Sequence, residues 1–186
     1  MKLTLVLGPM FAGKTSFIIN KFHQEHKLFK DIIALKPTID NRYSDNEIVS
    51  HNDNLKSIPA LIVDDLNQIE KTFLDNFDII LIDEGQFFKN LNLWIRKMEN
   101  FSGEIIISAL NGDFKRQAFG EINLLISRAD NLIFLQGQCH FCSRSSSFSL
   151  KKTIVKSSTS QEENQIEVGG NDKYVPVCGS CYCLQS

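Results

Sequence analysis

The feature that most constrains the fold is an eight-residue motif close to the start of the sequence. Residues 8–15 read Gly-Pro-Met-Phe-Ala-Gly-Lys-Thr, which matches Gly-x-x-x-x-Gly-Lys-[Ser/Thr] at every required position. The apolar run at 3–7 predicts a buried strand directly before the motif, and the apolar stripe of Ile18, Ile19 and Phe22 predicts a helix directly after it. A strand, a glycine-containing loop and a helix in this order are typical of α/β proteins built on a parallel sheet.

The residue types in this motif are those that hold the terminal phosphates of a nucleoside triphosphate. Glycines let consecutive backbone N–H groups turn toward one anion, and the N-terminus of the following helix adds positive dipole charge. Lys14 supplies a point charge for the β- and γ-phosphates, and Thr15 offers a hydroxyl ligand to Mg²⁺. An ordinary glycine-containing turn is the alternative, and the flanking strand and helix disfavour it. The residues expected to bind the nucleoside triphosphate here are Gly8, Pro9, Met10, Phe11, Ala12, Gly13, Lys14 and Thr15.

Length and composition are those of an ordinary globular protein with one main core. The sequence has 186 residues, of which 42% are hydrophobic and 23% charged, and its net charge of −2 gives no indication of a nucleic-acid partner. No apolar run approaches the ~20 residues that span a bilayer. The apolar N-terminus is interrupted by Gly8 and Pro9 and continues into the motif, which argues against a signal peptide. We therefore expect no membrane partner and a cytoplasmic location.

The first two-thirds of the chain alternate between strand-like and helix-like patterns. Continuous apolar runs predict buried parallel strands. The stripe of Leu91, Trp94, Ile95 and Met98 predicts an amphipathic helix with its tryptophan in the core. Strands that are separated by helices imply right-handed crossovers and a parallel sheet flanked by helices. The five predicted strands lie at 3–7, 31–35, 78–82, 104–108 and 131–135.

Two segments of this region lack a clear pattern. Residues 37–56 are polar and rich in turn formers, without periodicity, and predict a long surface loop. Residues 61–63 form a short apolar run, after which a short helix is expected. Neither segment is counted among the five strands of the predicted sheet.

Two acidic residues, Asp83 and Glu84, follow the buried strand predicted at 78–82. Ligands bind at the carboxyl edge of such a sheet, and an acidic residue there holds Mg²⁺ in proteins with phosphate-binding loops. We therefore expect Asp83 to hold Mg²⁺, directly or through water. Side chains alternate along a strand, so Glu84 is free to face a substrate hydroxyl and to accept its proton during phosphoryl transfer. A solvated strand end without function is the alternative for the pair.

Four of the five cysteines form two Cys-x-x-Cys pairs, Cys139 with Cys142 and Cys178 with Cys181. The pairs are separated by 35 residues, a spacing that suits a structural zinc site with four thiolate ligands. A redox-active pair is the alternative, and the presence of two pairs disfavours it. Cys183 is then a spare thiol.

The character of the chain changes after residue 136, where the cysteines, a serine-rich run and a polar stretch begin. This tail is too small to fold on apolar burial alone and needs a covalent or metal staple. We therefore predict a nucleotide-binding domain at 1–136 and a zinc-binding domain at 137–186.

Four blocks of the chain together resemble the thymidine kinase family found in bacteria, large DNA viruses and the vertebrate cytosol. Two of them, Asp-Glu-Gly-Gln-Phe-Phe at 83–88 and Gly-Gly-Asn-Asp-Lys-Tyr at 169–174, are specific to this family. The others are the motif at 8–15 and the Asp-Phe to Phe-Gly stretch at 113–120. The resemblance implies a RecA-like P-loop sheet with a small zinc domain that carries a lasso loop at 143–178. It also implies ATP- and Mg²⁺-dependent 5′-phosphorylation of thymidine to dTMP in nucleotide salvage, by a homo-tetramer.

The resemblance further implies roles for individual residues. It makes Glu84 the base that accepts the proton of the nucleoside 5′-hydroxyl. The residues that it places around the thymine base are Met10, Phe87, Leu110, Phe114 and Phe119. The residues that it places in the lasso, closing over the base, are Ser149, Val168, Gly169, Gly170 and Tyr174. The residues that it adds near the ATP phosphates are Asp40, Arg42, Asp83, Glu84, Gly85 and Gln86.

Two other functions fit parts of the pattern. A nucleic-acid-binding ATPase with a zinc ribbon combines the same two motifs, but it needs a basic face with aromatic residues. The only basic clusters, at 115–116 and 151–152, are small. A nucleotide sensor without catalysis is disfavoured because Lys14, Asp83 and Glu84 are all present. Stimulation of ATP turnover by thymidine or by DNA separates the first alternative from a nucleoside kinase.

Overall fold

A computed structural model describes residues 1–40, 46–50, 57–152 and 172–185. The strands are β1 (Lys2–Gly8), β2 (Ile32–Pro37), β3 (Glu47–Val49), β4 (Ser57–Pro59), β5 (Leu61–Val63), β6 (Ile79–Ile82), β7 (Glu104–Leu110), β8 (Asn131–Phe134), β9 (Gly137–Gln138), β10 (Ser145–Ser146), β11 (Phe148–Lys151) and β12 (Tyr174–Val177). The helices are α1 (Lys14–His26), α2 (Lys71–Leu74), α3 (Leu91–Lys97), α4 (Ile122–Leu125) and α5 (Gly179–Gln185), and 3₁₀ turns lie at Leu66–Gln68, Gly85–Phe87 and Ile126–Arg128.

The centre of the fold is a six-stranded parallel sheet in the order β5-β2-β6-β7-β1-β8. The predicted α/β class and the parallel sheet are therefore confirmed. The carboxyl ends of β6, β7 and β1 are neighbours, and Gly8 at the end of β1 stands opposite Leu110 at the end of β7. Three segments distant in sequence, which begin at residues 8, 83 and 110, thus meet at one edge of the sheet.

Both faces of the sheet are covered, as its continuous apolar strands predict. Helix α1 packs on one face, where Ile18 and Ile19 join a cluster with Val6 of β1. On the other face, the predicted stripe of α3 is buried against the alternate residues of β1. Trp94 is 3% exposed and lies in this core, as expected.

The expectation of a long surface loop at 37–56 is wrong for part of that segment. Residues Glu47–Val49 pair with Ser57–Pro59 as an antiparallel ladder, and the central Ile48 and Ile58 are each only 1% exposed. The predicted sheet also lacked Leu61–Val63, which pairs with β2 as the edge strand. Three-residue strands are too short to show alternation, so their pairing depends on distant partners. The short helix expected after residue 63 is present as a 3₁₀ turn and α2.

The C-terminal part has a small core of its own. The antiparallel ladder β11–β12 contacts α5 through β11 and the ladder β9–β10 through β12. Leu150, Val175 and Val177 pack against the buried cysteines. We therefore propose to keep the boundary between 1–136 and 137–186, and we refer to the described part of 137–186 as the cysteine module. Among the described residues, no helix has the length and the apolar character that crossing a membrane requires.

Candidate active site

The 8–15 loop lies between β1 and α1, and its geometry suits an anion. Phe11 and Gly13 have left-handed backbones with φ of 61° and 86°, which is the kind of turn that directs N–H groups into a shared concavity. Helix α1 starts at Lys14 with no acidic residue in its first turn and no side-chain cap. The positive end of the helix dipole is therefore open to a negatively charged group.

Lys14 is folded back over this loop. Its side chain is buried, and Nζ donates a hydrogen bond to the carbonyl of Pro9 at 2.7 Å. Gly8 packs closely against the chain after β8: a Cβ at this position would lie 2.3 Å from the carbonyl oxygen of Leu135, so only glycine fits. The loop is thus anchored by its own lysine and by the neighbouring strand.

Asp83 is a buried carboxylate at the end of β6, with 3% of its surface exposed. It accepts hydrogen bonds from the hydroxyl of Ser108 on β7 and from that of Thr15 on α1. Burial, reinforced by the charges of Glu84 and Asp40, raises its pKa from 3.8 to about 6. Clustered carboxylates next to a hydroxyl are hard oxygen ligands, and their mutual repulsion favours a cation. The residues here fit Mg²⁺.

Glu84 follows in an unusual backbone conformation. Its φ of 53° and ψ of 42° lie in the left-handed region, which is rare for residues other than glycine and concentrates at functional sites. The side chain is half-buried, and Oε2 accepts a hydrogen bond from Nε2 of Gln86 at 2.5 Å. The amide oxygen of Gln86 accepts in turn from the N–H of Leu110 at 3.1 Å. Both ends of the Gln86 amide are therefore engaged within the protein.

The aromatic residues expected around a nucleobase come together in two pairs. The ring of Phe87 meets that of Phe119 edge-to-face, with centroids 5.5 Å apart. The ring of Phe114 lies 6.1 Å from that of Tyr174 on β12. The first pair joins the segment after β6 to that after β7, and the second joins the latter segment to the cysteine module.

A third contact connects the anion-binding loop to the cysteine module. The backbone N–H of Met10 donates a hydrogen bond to Oγ of Ser149 on β11 at 3.0 Å. Ser149 is buried, which keeps this bond away from water. Residues expected to belong to one site thus come from the β1 loop, from the ends of β6 and β7, and from the module.

The four predicted zinc ligands converge at one point. The sulfur atoms of Cys139, Cys142, Cys178 and Cys181 all lie within 4.8 Å of one another, and the sulfurs of Cys142 and Cys178 are 3.6 Å apart. Thiolates that bind zinc at about 2.3 Å stand roughly 3.8 Å apart on the edges of a tetrahedron, so the cluster fits zinc. Nε of Arg144 donates to Cys142 at 3.3 Å and lowers the pKa of that thiol to about 6, which favours the ligating thiolate.

A family model described as "Thymidine kinase" matches residues 1–182. The chain belongs to the thymidine kinase family. A thymidine kinase of Amsacta moorei entomopoxvirus is 37% identical to it over 98% of both chains. "Thymidine kinase 1" of Dictyostelium discoideum is 35% identical over 97% of this chain and 77% of its own length. A thymidine kinase of Yaba monkey tumor virus is 36% identical over 96% of this chain and 92% of its own. The expected family membership and enzyme class are confirmed.

Some site residues carried over from the thymidine kinase family lie outside the described residues. They are Arg42, Val168, Gly169 and Gly170. Asp40 is described, buried, and 3.9 Å from Nζ of Lys36. Its charge acts on Asp83, so it belongs to the acidic group of the site.

Sequence reasoning missed three residues that support the site of this thymidine kinase family member. Ser108 ends the apolar part of β7 and binds Asp83; a polar residue at the carboxyl edge next to β6 was the available signal. Arg116 and Tyr182 join the segment after β7 to the cysteine module. No local sequence pattern indicates that contact, because the two residues are distant in sequence.

Proposed function

We propose that this chain transfers the γ-phosphoryl group of ATP to the 5′-hydroxyl of thymidine with the help of Mg²⁺, giving dTMP for nucleotide salvage and DNA synthesis. Family membership supports a thymidine kinase in general, and the observation that carries the specific reaction is the arrangement of two neighbouring carboxylates. Asp83 is buried beside the Thr15 hydroxyl, whereas Glu84 is half-buried and held by Gln86. This arrangement supports a metal-binding role for the first carboxylate and a proton-accepting role for the second.

The β1–α1 loop would receive the triphosphate. Its left-handed turns and the open start of α1 offer N–H donors to the phosphate oxygens. The ammonium group of Lys14 would exchange its bond to Pro9 for the β- and γ-phosphates. Thr15 and Asp83 would hold Mg²⁺, which neutralises charge on the transferring phosphoryl group.

Glu84 would accept the proton of the 5′-hydroxyl as the oxygen attacks the γ-phosphorus. A carboxylate has this capacity when it is ionised and within hydrogen-bond reach of the hydroxyl. The amide of Gln86 donates to Oε2 and thereby gives the carboxylate a fixed orientation, in which it would face the substrate hydroxyl. Proximity and orientation then supply most of the rate, because phosphoryl transfer needs little covalent chemistry from the protein.

The thymine base would lie among the aromatic and apolar side chains between the β7 segment and the cysteine module. A flat base with one methyl group is matched by such walls. We propose the residues named above for this pocket, together with Gly85 and Gln86 at its phosphate side. The residues proposed to contact the nucleoside are Met10, Phe87, Leu110, Phe114, Phe119, Ser149, Val168, Gly169, Gly170 and Tyr174.

The proposal extends to location and assembly. None of the five cysteines is in a disulfide, which supports a reducing, cytoplasmic compartment. The edge strand β8 exposes two apolar side chains, Leu132 at 54% and Phe134 at 50%. This exposure supports association into the homo-tetramer that the family resemblance implies. Measurement of the mass in solution tests the latter.

The test of the reaction is the variant Glu84→Gln, with Glu99→Gln as the matched control at an exposed glutamate two residues after α3. We expect Glu84→Gln to bind ATP normally and to lose roughly 10²–10⁴-fold in kcat for thymidine. The control should behave as the wild type. Near-full activity of Glu84→Gln, or ATP turnover that responds to DNA and not to thymidine, would falsify the proposal.

A further inference from the structure

A hydrogen bond links the helix that follows the cysteine cluster to the segment that follows β7. The phenolic hydroxyl of Tyr182 on α5 donates to the backbone carbonyl of Phe114 at 2.8 Å, across 68 positions of sequence. Tyr182 is the residue next to Cys181, so the position of its ring depends directly on the cluster. Both ends of the bond are at least half-buried.

Arg116 strengthens the same contact. Its guanidinium carbon lies 4.5 Å from the ring centre of Phe148 on β11 and 5.2 Å from that of Tyr182. The two rings are themselves in contact, with centroids 6.0 Å apart. Arg116 has a left-handed backbone with φ of 61°, a conformation that persists only where surrounding contacts maintain it. The contacts of this cation with both aromatic rings are of this kind.

The segment between these anchors is a tight turn. Oδ1 of Asp113 accepts hydrogen bonds from the N–H groups of Lys115 at 2.9 Å and of Gln117 at 2.7 Å. The backbone of Asp113 also exchanges bonds with Arg116 and Gln117. Because the turn is internally bonded, contacts on its outer side help to fix the positions of its ends.

The far end of this turn reaches the candidate nucleobase pocket. Phe119 packs on Phe87, and Gly120 approaches the backbone of Gln86 so closely that a Cβ would lie 2.3 Å from its carbonyl oxygen. Phe114, whose carbonyl accepts from Tyr182, meets Tyr174 on its other side. The turn is therefore held between the ends of the kinase sheet and the cysteine module.

We infer that Tyr182 and Arg116 are positioning residues that hold the 113–120 turn, and that through them the cysteine module sets the affinity for the nucleoside. The identity of the substrate in this inference rests on the proposed function. The four-cysteine cluster then affects nucleoside affinity as well as the stability of its own module, because α5 carries the Tyr182 that contacts the turn. Neither residue touches the reacting atoms.

The test compares Tyr182→Phe, which removes one hydroxyl, with Cys183→Ser, which changes the exposed neighbouring residue on the same helix. We expect Tyr182→Phe to raise KM for thymidine about five- to tenfold, the effect of one lost hydrogen bond, with kcat and KM for ATP unchanged. Zinc content per chain should equal that of the wild type. Cys183→Ser should change none of these quantities.

Amide hydrogen exchange supplies a readout that does not depend on activity. Tyr182→Phe and Arg116→Met should accelerate exchange at 113–120 and leave the core strands β1 and β7 protected, which also shows that the variants fold. Unchanged exchange at 113–120, or equal increases in both Michaelis constants, would overturn the inference. If exchange is accelerated but the wild type does not phosphorylate thymidine, the role of Tyr182 and Arg116 in holding the 113–120 turn stands and the proposed substrate is refuted.

Discussion

The side-chain amide of Gln86 bridges the carboxylate of Glu84 and the backbone N–H of Leu110, with distances of 2.5 Å and 3.1 Å. Gln86 is 3% exposed, so water does not compete for either bond. The bridge ties the left-handed residue after β6 to the end of β7. It gives the proposed base one orientation in a place where two strand ends meet.

Replacement of Gln86 by Met keeps the length of the side chain and removes both hydrogen bonds. We expect kcat for thymidine to fall by roughly 10–100-fold, because Glu84 loses its fixed orientation, with little change in KM for ATP. Steady-state kinetics with each substrate varied in turn measures the split. Gln68→Met, at an exposed glutamine, is the control. A loss of ATP affinity as large as the loss of kcat would contradict an orienting role.

Replacement of Asp83 by Asn should stabilise the magnesium-free protein while abolishing activity. The folded-state pKa of about 6 lies above the ordinary 3.8, so this group's contribution to stability is present below pH 3.8 and is lost as pH rises through 6. At pH 7 the buried charge costs on the order of 1–3 kcal/mol, which Asn avoids. Urea unfolding at pH 5 and pH 7 in magnesium-free buffer measures the difference.

For Asp83→Asn, the gain at pH 7 should shrink at pH 5, where Asp83 is largely protonated. The amide oxygen of Asn can still accept a hydrogen bond from the Ser108 hydroxyl. Equal stability of variant and wild type at pH 7 would show that the carboxylate is not destabilised by its burial.

Removal of one cluster ligand should release the metal. The wild type is expected to contain one zinc per chain, and Cys142→Ser to lose it and unfold at a temperature lower by more than about 5 °C. Cys183→Ser, at an exposed thiol outside the cluster, is the matched control and should retain zinc. Elemental analysis and thermal scans in reducing buffer give both quantities. A wild type purified without zinc would refute the assignment.

Replacement of Gly120 by Ala should destabilise the chain by about 1–3 kcal/mol and weaken nucleoside binding. Its φ of 58° disfavours any side chain, and the new Cβ would lie 2.3 Å from the carbonyl oxygen of Gln86. Gly179→Ala is the control, because its Cβ would meet only a ring atom of Phe148 at 3.5 Å. Urea unfolding of the two variants is the comparison. Similar stability for both would show that the turn adapts freely.

The features that could be predicted from the sequence are those encoded by residues close together in the chain. A few neighbouring residues suffice to indicate the function of the 8–15 motif, of the acidic pair after β6 and of the two cysteine pairs. The long apolar strands of the sheet were equally visible, because burial on both faces makes most of their positions apolar.

What could not be predicted depends on contacts between distant residues. The Gln86 bridge spans 24 positions to Leu110, and the Tyr182 bond spans 68 to Phe114, so neither leaves a local trace. The pairing of Ile48 with Ile58 in three-residue strands is similar, since their apolar content is too small to stand out within a polar segment. Side-chain roles of this kind follow from the order of the strands, which a periodicity argument does not provide.

The bond from Met10 to Ser149 narrows the list of amides that serve the nucleotide. A backbone N–H that already donates to a buried hydroxyl is not offered to an oxyanion. We therefore expect the proposed triphosphate to be bound by N–H groups nearer the first turn of α1, where the helix leaves its amides without internal acceptors. The start of the loop thus attaches the cysteine module to the sheet, and in the proposed function its end would bind the phosphates.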